Sequence, residues 1–326
     1  MAMDIERYGD PAAREAVARR VAVAWGLELP VSFFRFLDLL ASLGPAERRA
    51  LRDLELAPFG VLDLFDDPAA PPRDGLDIRV HGRYYRDPPE FLTFLHGGTD
   101  GLHFGLWSDD GRTCAGVGSY YTHDGGGIER RHTTPLEAVR ARIEWAQRDL
   151  ADMVADGEDA SMRLEDLGQL RTALTRFETG ERTETGLAYS QAYEYRRPPV
   201  DPTRITTLDG AGAQASGATA LDRPPHNAAD EYRFGTFLEE LFADGPALRA
   251  AREEAVRRAA AGDPTEALVL GRDLHRASYG EPERKAYAGE LLALAYRALD
   301  RPALAEIAQA HHRHRSAADV NVLRRR

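Results

Sequence analysis

The pattern of apolar and polar residues along this chain changes its period twice. From residue 10 to residue 55, apolar residues recur at helical spacing, and Pro30 and Gly44-Pro45 divide this region into two helices and a shorter third. From Leu76 to Arg131, apolar and polar positions alternate, as they do in strands with one buried face. Glycines interrupt this alternation and supply the positive φ of tight turns. The region is therefore predicted to form a meander of short antiparallel strands.

Helical spacing returns after the predicted sheet. Thr133-Thr134-Pro135 is typical of a helix start, so a long helix is predicted from there and a second over about 161–177. Beyond Ala228 the chain consists of helical units, separated by breaks that offer a capping residue and a proline. These breaks are Gly245-Pro246, Gly262-Asp263-Pro264, Gly280-Glu281-Pro282 and Asp300-Arg301-Pro302. We predict an α+β fold: an antiparallel meander sheet with flanking helices, followed by a mostly helical C-terminal domain.

The same change of period divides the chain into two expected domains. The first is an N-terminal α+β sheet domain over residues 1–180, and the second is a mostly helical C-terminal domain over 181–326. Tyrosines at alternate positions, Tyr189, Tyr193 and Tyr195, predict a strand or two at the start of the second domain. The glycine- and alanine-rich run that begins at Asp209 cannot build a core by itself. A flexible loop is therefore expected near residues 207–227.

Composition narrows the class of protein. The net charge of −11 argues against a surface that follows a nucleic-acid duplex, and no apolar run approaches the roughly 20 residues of a membrane-spanning helix. The start of the chain lacks the apolar core of a signal peptide, and Cys114 is the only cysteine. We therefore expect a cytoplasmic protein that has no internal disulfide and binds neither nucleic acid nor a membrane directly. Lys285 is the only lysine among 42 basic residues, which indicates the codon bias of a high-GC bacterial genome.

Glycine and histidine clusters do not indicate a cofactor or metal site. The glycines at 97–98 and 125–127 lack the helix that follows a phosphate-binding loop, so they are interpreted as turns. The histidines at 311, 312 and 314 have no carboxylate at ligand spacing and are interpreted as the positively charged end of a helix. His103, close to Asp100, is either a base or a half-buried strand histidine. No cofactor and no metal are expected.

Two pairs of acidic residues lie beside prolines, which restrict the backbone. Asp87-Pro88-Pro89-Glu90 is interpreted as the start of a strand. Asp263 and Glu266 have the spacing of an N-cap residue and a capping-box acid. An acid that is fixed at a helix start and faces a cleft can also accept a proton. The second pair therefore has two interpretations, as a helix cap or as a proton acceptor.

Several segments together resemble the histone PARylation factor family. The order and spacing match from about residue 25 to residue 312, in the segments Tyr84–Phe91, His103–Trp107, Leu270–Leu274, Leu291–Tyr296 and Leu304–Ile307. The first of these segments is the most specific. The N-terminal helix with Leu29-Pro30 and the sheet after it are also similar to Smi1/Knr4-type immunity proteins.

The resemblance implies an accessory protein that is not an enzyme by itself. Members of the family dock on a poly(ADP-ribose) polymerase and complete its active site with a glutamate that deprotonates serine, which is a poor nucleophile without a base. The docking Tyr-Arg pair of the family falls on Asp222-Arg223, so only the arginine is kept. The Asp-Glu pair that carries the base falls on Ala260-Ala261. Asp263 and Glu266 are then the candidate catalytic substitutes.

Two functional hypotheses follow from these observations. The first is a bacterial accessory protein that binds an ADP-ribosyltransferase or another NAD-consuming protein. In this hypothesis Asp222 and Arg223 bind the partner, and Arg223 shares one exposed surface with the helix start at Asp263. The second is an immunity-like or regulatory protein-binding module with no role in catalysis. An enzyme that acts on ADP-ribose or NAD by itself ranks below both, because the sequence has no nucleotide-binding fingerprint.

Overall fold

Three helices open the fold in the computed structural model, which describes residues 6–179 and 198–324. They are α1 (Pro11–Trp25), α2 (Val31–Ser42) and α3 (Pro45–Asp53). Asp10 begins α1 by accepting a hydrogen bond from the Ala12 N–H, and Gly26 ends it at φ 71°. Each of the three helices starts at a proline: in the first turn of α1 and α3, and just before α2. The helices predicted from spacing are confirmed.

A five-stranded antiparallel sheet follows, with its strands in sequence order. The strands are β1 (Ala57–Pro58), β2 (Phe91–His96), β3 (Leu102–Trp107), β4 (Gly116–Tyr121) and β5 (Glu129–His132). The predicted meander is confirmed over β2 to β5. The prediction that strands begin at Leu76 is wrong, because residues 76–90 contain a 3₁₀ turn at Ile78–Val80 and two prolines that cannot donate to a ladder.

Helices surround this sheet and make up most of the chain after it. Those next to the sheet are α4 (Pro135–Ala155) and α5 (Ser161–Thr175). After a two-stranded sheet of β6 (Asp201–Ile205) and β7 (Pro225–His226), the chain forms α6 (Glu231–Ala243), α7 (Gly245–Ala260), α8 (Thr265–Arg276), α9 (Pro282–Ala298) and α10 (Pro302–His314). The predicted α+β class, with a helical C-terminal region, is confirmed.

All twelve residues of α8 are buried. The helix packs against α7 and α9, and one apolar core extends from α1 through the sheet to Leu323. The charged side chains of α8 are Glu266, Arg272, Asp273 and Arg276. A buried helix with so many charges needs partners from other elements, and these partners form the candidate site below.

Two expectations about the second half of the chain stay predictions. The alternate tyrosines Tyr189, Tyr193 and Tyr195, and the boundary at residue 180, lie outside the described residues. Within 207–227, the side chains of Thr207, Asp209, Ala211 and Ala213 are buried, but burial does not measure motion, so the expected flexibility is not tested. In the two described ranges, every helix is too short or too polar to cross a bilayer.

Candidate functional site

The segment from Gly217 to Arg223 lies across the start of α8. The Asp263 carboxylate accepts hydrogen bonds from the N–H groups of Thr265 (3.1 Å) and Ala218 (3.2 Å). Gly217 packs so closely that a Cβ atom at this position would overlap the Asp263 carboxylate. The Ala218 carbonyl accepts a further hydrogen bond from Arg258 of α7. The sequence-predicted residues are thus brought to one place, at the beginning of α8.

We call the segment from Gly217 to Arg223 the tether. Glu266 also binds this tether and does not form a capping box. Its Oε2 accepts a hydrogen bond from the Ala220 N–H at 2.6 Å, and the residue is 1% exposed. The prediction that Asp263 is the N-cap is wrong by one position, because Pro264 occupies the N-cap and has no side-chain donor or acceptor. Glu266 reaches the 217–223 segment because that segment crosses α8, which local spacing could not reveal.

Arg223 is buried against α8. Its guanidinium donates to Asp273 (2.7 Å) and to the Thr206 carbonyl (2.8 Å), and lies 3.9 Å from Glu266. The side chain is 2% exposed. The expectation that Arg223 shares an exposed surface with Asp263 is therefore wrong for Arg223, since a buried carboxylate on α8 holds it inside. Asp222, by contrast, is exposed.

The two candidate proton acceptors differ in accessibility. Hydrogen bonds from Thr265 and from backbone N–H groups lower the pKa of Asp263, which makes its carboxylate a weaker base. Glu266 is enclosed by the tether. Ala260 and Ala261, at the end of α7, are exposed. A catalytic role of Asp263 or Glu266 stays a prediction.

Arg272, near the C-terminal end of α8, joins three parts of the chain. Its guanidinium donates twice to Asp209 (2.6 and 2.8 Å) and once to the Gly212 carbonyl, and lies 3.5 Å from Glu90. Burial lowers the pKa of Arg272, but the charges of Asp209 and Glu90 outweigh this effect and raise it. Arg272 also lies over the Trp107 ring, 5.2 Å from its centroid.

A second arginine pair closes the same side of the sheet. Arg204 of β6 donates to both carboxylate oxygens of Asp109, at 2.7 and 3.0 Å, and the indole N–H of Trp107 donates to the same carboxylate at 2.9 Å. Burial raises the pKa of Asp109, but hydrogen bonds from Arg204 outweigh it and lower the pKa to about 2. The sequence analysis did not single out Asp109. The Arg204 partner is 95 residues away, so no local signal could have identified it.

The Asp87-to-Glu90 motif connects the sheet to these helices. Asp87 is fully buried and accepts hydrogen bonds from His103 Nε2 (2.9 Å) and the Tyr120 hydroxyl (2.5 Å). His103 lies in β3, as the interpretation of a strand histidine expected, but it is fully buried, and its imidazole faces Asp87 on one side and the Gly101 carbonyl on the other rather than Asp100. Both of its nitrogens face polar partners inside the fold, so the ring is held there rather than offered to a substrate.

Glu90 continues this connection. Its Oε1 accepts a hydrogen bond from the Tyr296 hydroxyl of α9 at 2.9 Å, whereas its buried Oε2 has no hydrogen-bond partner among the described residues. In the same ranges, no three histidine, cysteine, aspartate or glutamate residues are arranged to hold a metal ion. The most specific motif of the sequence is thus a structural junction between sheet and helices.

These contacts define an α+β protein in which a meander sheet and a helical layer are joined through buried ion pairs on α8. The family model described as Histone PARylation factor 1 matches residues 12–182. Because this match covers just over half of the chain, the chain belongs to that family. No curated protein matches the chain.

The family assignment confirms the resemblance found in the sequence and indicates an accessory role in ADP-ribosylation. The matched residues include the sheet and the Asp87-to-Glu90 motif, but they end before β6 and α8. The roles of Arg223, Asp263 and Glu266 are therefore proposals, as are the bacterial origin and the likeness to Smi1/Knr4-type proteins.

Proposed function

We propose that this chain binds an ADP-ribosyltransferase as an accessory protein, through the surface at the end of α7 and the start of α8. The observation that carries the proposal is the family match over residues 12–182. The tether of Gly217 to Arg223 supports the location, because Asp222 within it and the end of α7 beside it are both exposed. The buried Arg223 then positions this surface, and Asp222 contacts the partner.

The chain contributes docking but lacks the proton acceptor that the resemblance implies for serine modification. Ala260 and Ala261 cannot accept a proton. The hydrogen bonds to Asp263 weaken it as a base, and Glu266 is 1% exposed. A positioned general base contributes about 10²- to 10⁴-fold to such a step. The natural chain should therefore bind the transferase and support little serine labelling.

The test restores the acid. The assay combines the purified chain with the catalytic domain of a poly(ADP-ribose) polymerase, labelled NAD and a serine-containing acceptor peptide. Transferase binding and serine labelling are measured separately. Ala261→Glu should increase serine labelling at least about tenfold without changing transferase affinity. The C-terminal end of α7 disfavours a charged carboxylate there, which makes the introduced glutamate a stronger base.

Ala250→Glu is the matched control. Ala250 is another exposed alanine of α7, and it lies about 16 Å from Ala261, about three helical turns earlier on a similar face. Equal gains from both variants would refute the proposed location. A chain that does not bind the transferase at all would refute the accessory role and favour the regulatory protein-binding module.

A further inference from the structure

A cavity of about 820 Å³ lies beyond the C-terminal end of α8. Its walls are the loop after α8, the first turn of α9, the last turn of α10 with the tail that follows, and the segment that carries Arg83 and Tyr85. We call it the α9–α10 cavity. Its volume is in the range of sites for small molecules. Neither the family match nor the proposed transferase surface includes the residues of α9 and α10.

The cations around this cavity form no direct ion pair within the described residues, although the charges of Asp87 and Glu90 act on Arg83 from farther away. Arg83 and Arg315 are 5% and 6% exposed, and Lys285 extends the same wall. Arg83 donates to the Pro88 carbonyl, and Arg315 donates to the carbonyl oxygens of Tyr85 and His275 and to the Ser278 hydroxyl, all of which are neutral acceptors. Burial lowers the pKa of Arg315 to about 10 and also lowers that of Arg83.

The acids on the cavity wall are fewer than the cations. Glu281 and Asp319 line it, against three full cations and the histidines His123, His311 and His314. In the described part of the chain, none of Arg83, Lys285 and Arg315 has a carboxylate within ion-pair distance. Buried cations without a paired anion are unfavourable, so the cavity is prepared for an anionic ligand.

His311 independently points to a ligand. The residue is 2% exposed and lines the cavity, and both of its ring nitrogens are buried without a hydrogen-bond partner in the ranges described. Burial, followed by the charges of nearby His275 and Arg315, lowers its pKa well below the usual value. The interpretation of His311 as a positively charged helix end is therefore wrong. A neutral imidazole has one N–H to donate, and an anion oxygen can accept it once the ring turns towards the cavity, because both nitrogens are closed to solvent in this structure.

The start of α9 forms part of the cavity wall through Pro282 and Lys285. It adds no free N–H group there, because proline has none and the Lys285 N–H donates to the Glu281 carbonyl. Tyr279, 69% exposed, stands at the rim with its ring 5.0 Å from that of Tyr85.

We propose that the α9–α10 cavity binds the phosphate group of a small phosphorylated ligand. Arg83, Lys285 and Arg315 supply the counter-charge, and His311 donates its N–H to a phosphate oxygen. A phosphate ester fits better than a carboxylate because it carries about −1.5 to −2 charges and three strong acceptor oxygens. The exposed Tyr279 ring offers a stacking face for a base, as in sites that hold nucleotides.

Lys285 makes a direct test possible because it is the only lysine of the chain. Reductive methylation with ¹³C-formaldehyde labels this amine and the N-terminal amine and keeps their charge. The N-terminal signal is recognised by its lower pKa. Inorganic phosphate, AMP and adenosine are titrated at matched ionic strength, and the ¹³C signals are followed by NMR.

We expect phosphate and AMP to shift the Lys285 signal saturably, and adenosine to leave it unchanged. AMP binding tighter than phosphate would identify a nucleotide as the source of the phosphate group, and equal affinities would restrict the site to the phosphate group itself. A shift that stays linear with concentration, or an equal shift with chloride, would overturn the proposal, because it would report screening and not a site.

His311→Phe separates ligand binding from folding. Phenylalanine fills the space and removes two unpartnered buried nitrogens, so the melting temperature should be unchanged or higher. The phosphate Kd should rise about tenfold or more through loss of a hydrogen bond to a charged group. An unchanged Kd in a folded variant would overturn the role of His311 and with it the proposal.

A charge-matched pair of variants on α9 provides the second control. Lys285→Gln removes a cation at the cavity, and Arg297→Gln removes an exposed one near the other end of the same helix. Calorimetric titration of the unlabelled proteins with phosphate should give a weaker Kd for Lys285→Gln only. Equal weakening by both variants would indicate a general effect of net charge and contradict a local site.

Discussion

The geometry of the ion pair between Arg272 and Asp209 predicts which of two substitutions destabilises the fold more. Asp209→Asn keeps the shape of the side chain and removes its charge. Both partners are almost fully buried, and two hydrogen bonds of 2.6 and 2.8 Å join them. Removing one partner of a buried pair costs about 3 to 5 kcal/mol, because the other charge stays buried. Glu90, at 3.5 Å, still faces the arginine, so we expect about 3 kcal/mol.

Arg272→Met should cost more than Asp209→Asn. Methionine leaves two buried carboxylates, Asp209 and Glu90, without their cation, so we expect the upper end of the range, about 5 kcal/mol. In the double variant, Asp209→Asn removes one of these two charges. The combined effect should therefore be smaller than the sum by about 1 to 3 kcal/mol.

Urea unfolding measures these differences. Tryptophan fluorescence reports on Trp25, Trp107 and Trp145, of which Trp107 lies beside Arg272, and circular dichroism reports on the helices. The two transitions must coincide before free energies are compared. Glu254→Gln is the matched control, since Glu254 also accepts hydrogen bonds from arginines but its side chain is 33% exposed, and its loss should change stability little. An effect of Asp209→Asn below about 1 kcal/mol, or one larger than that of Arg272→Met, would refute the reasoning.

Other paired and capping residues lead to three further expected outcomes. The pKa of Asp109 is about 2 in the folded protein, against about 3.9 when unfolded. The charged carboxylate therefore contributes about 2 to 3 kcal/mol to the free energy of unfolding at neutral pH. In urea unfolding, the destabilisation caused by Asp109→Asn should shrink as the pH falls from about 5 to 2. Asp263→Ala removes the hydrogen bonds that hold Ala218 and Thr265, so thermal unfolding should show a loss of about 1 kcal/mol. Arg223→Gln leaves Asp273 buried without its cation and should destabilise the fold by about 3 kcal/mol in the same assay. Reduced transferase binding by Arg223→Gln with unchanged stability would contradict its positioning role.

The helices and the meander could be predicted from the sequence because their signals are local. Asp10 caps α1 and Pro11 fits its first turn, and the turn at Gly98 adopts a positive φ of 73° between β2 and β3. Such features act within a few residues, so spacing and residue type are sufficient to identify them.

The candidate site could be predicted only in part because its contacts are long-range. The sequence analysis placed Asp263 and Glu266 at a helix start, and the structure places them there. It could not find that Glu266 reaches Ala220, which is 46 residues away, or that Arg272 pairs with Asp209 across 63 residues. The charged residues of α8 make the helix look partly solvent-exposed in the sequence, whereas their partners on other elements allow its complete burial.

The neighbouring opposite charges of Arg272 and Asp273 fix the position of α8 along its own axis. Arg272 meets Asp209, and Asp273 meets Arg223. A helix buried through apolar side chains alone is held in position only by the fit of its side chains to their neighbours. Here a displacement of one residue would bring the Asp273 carboxylate towards Asp209 and turn attraction into repulsion. Alternative packings of the central helix are thereby penalised, because they break both of these ion pairs.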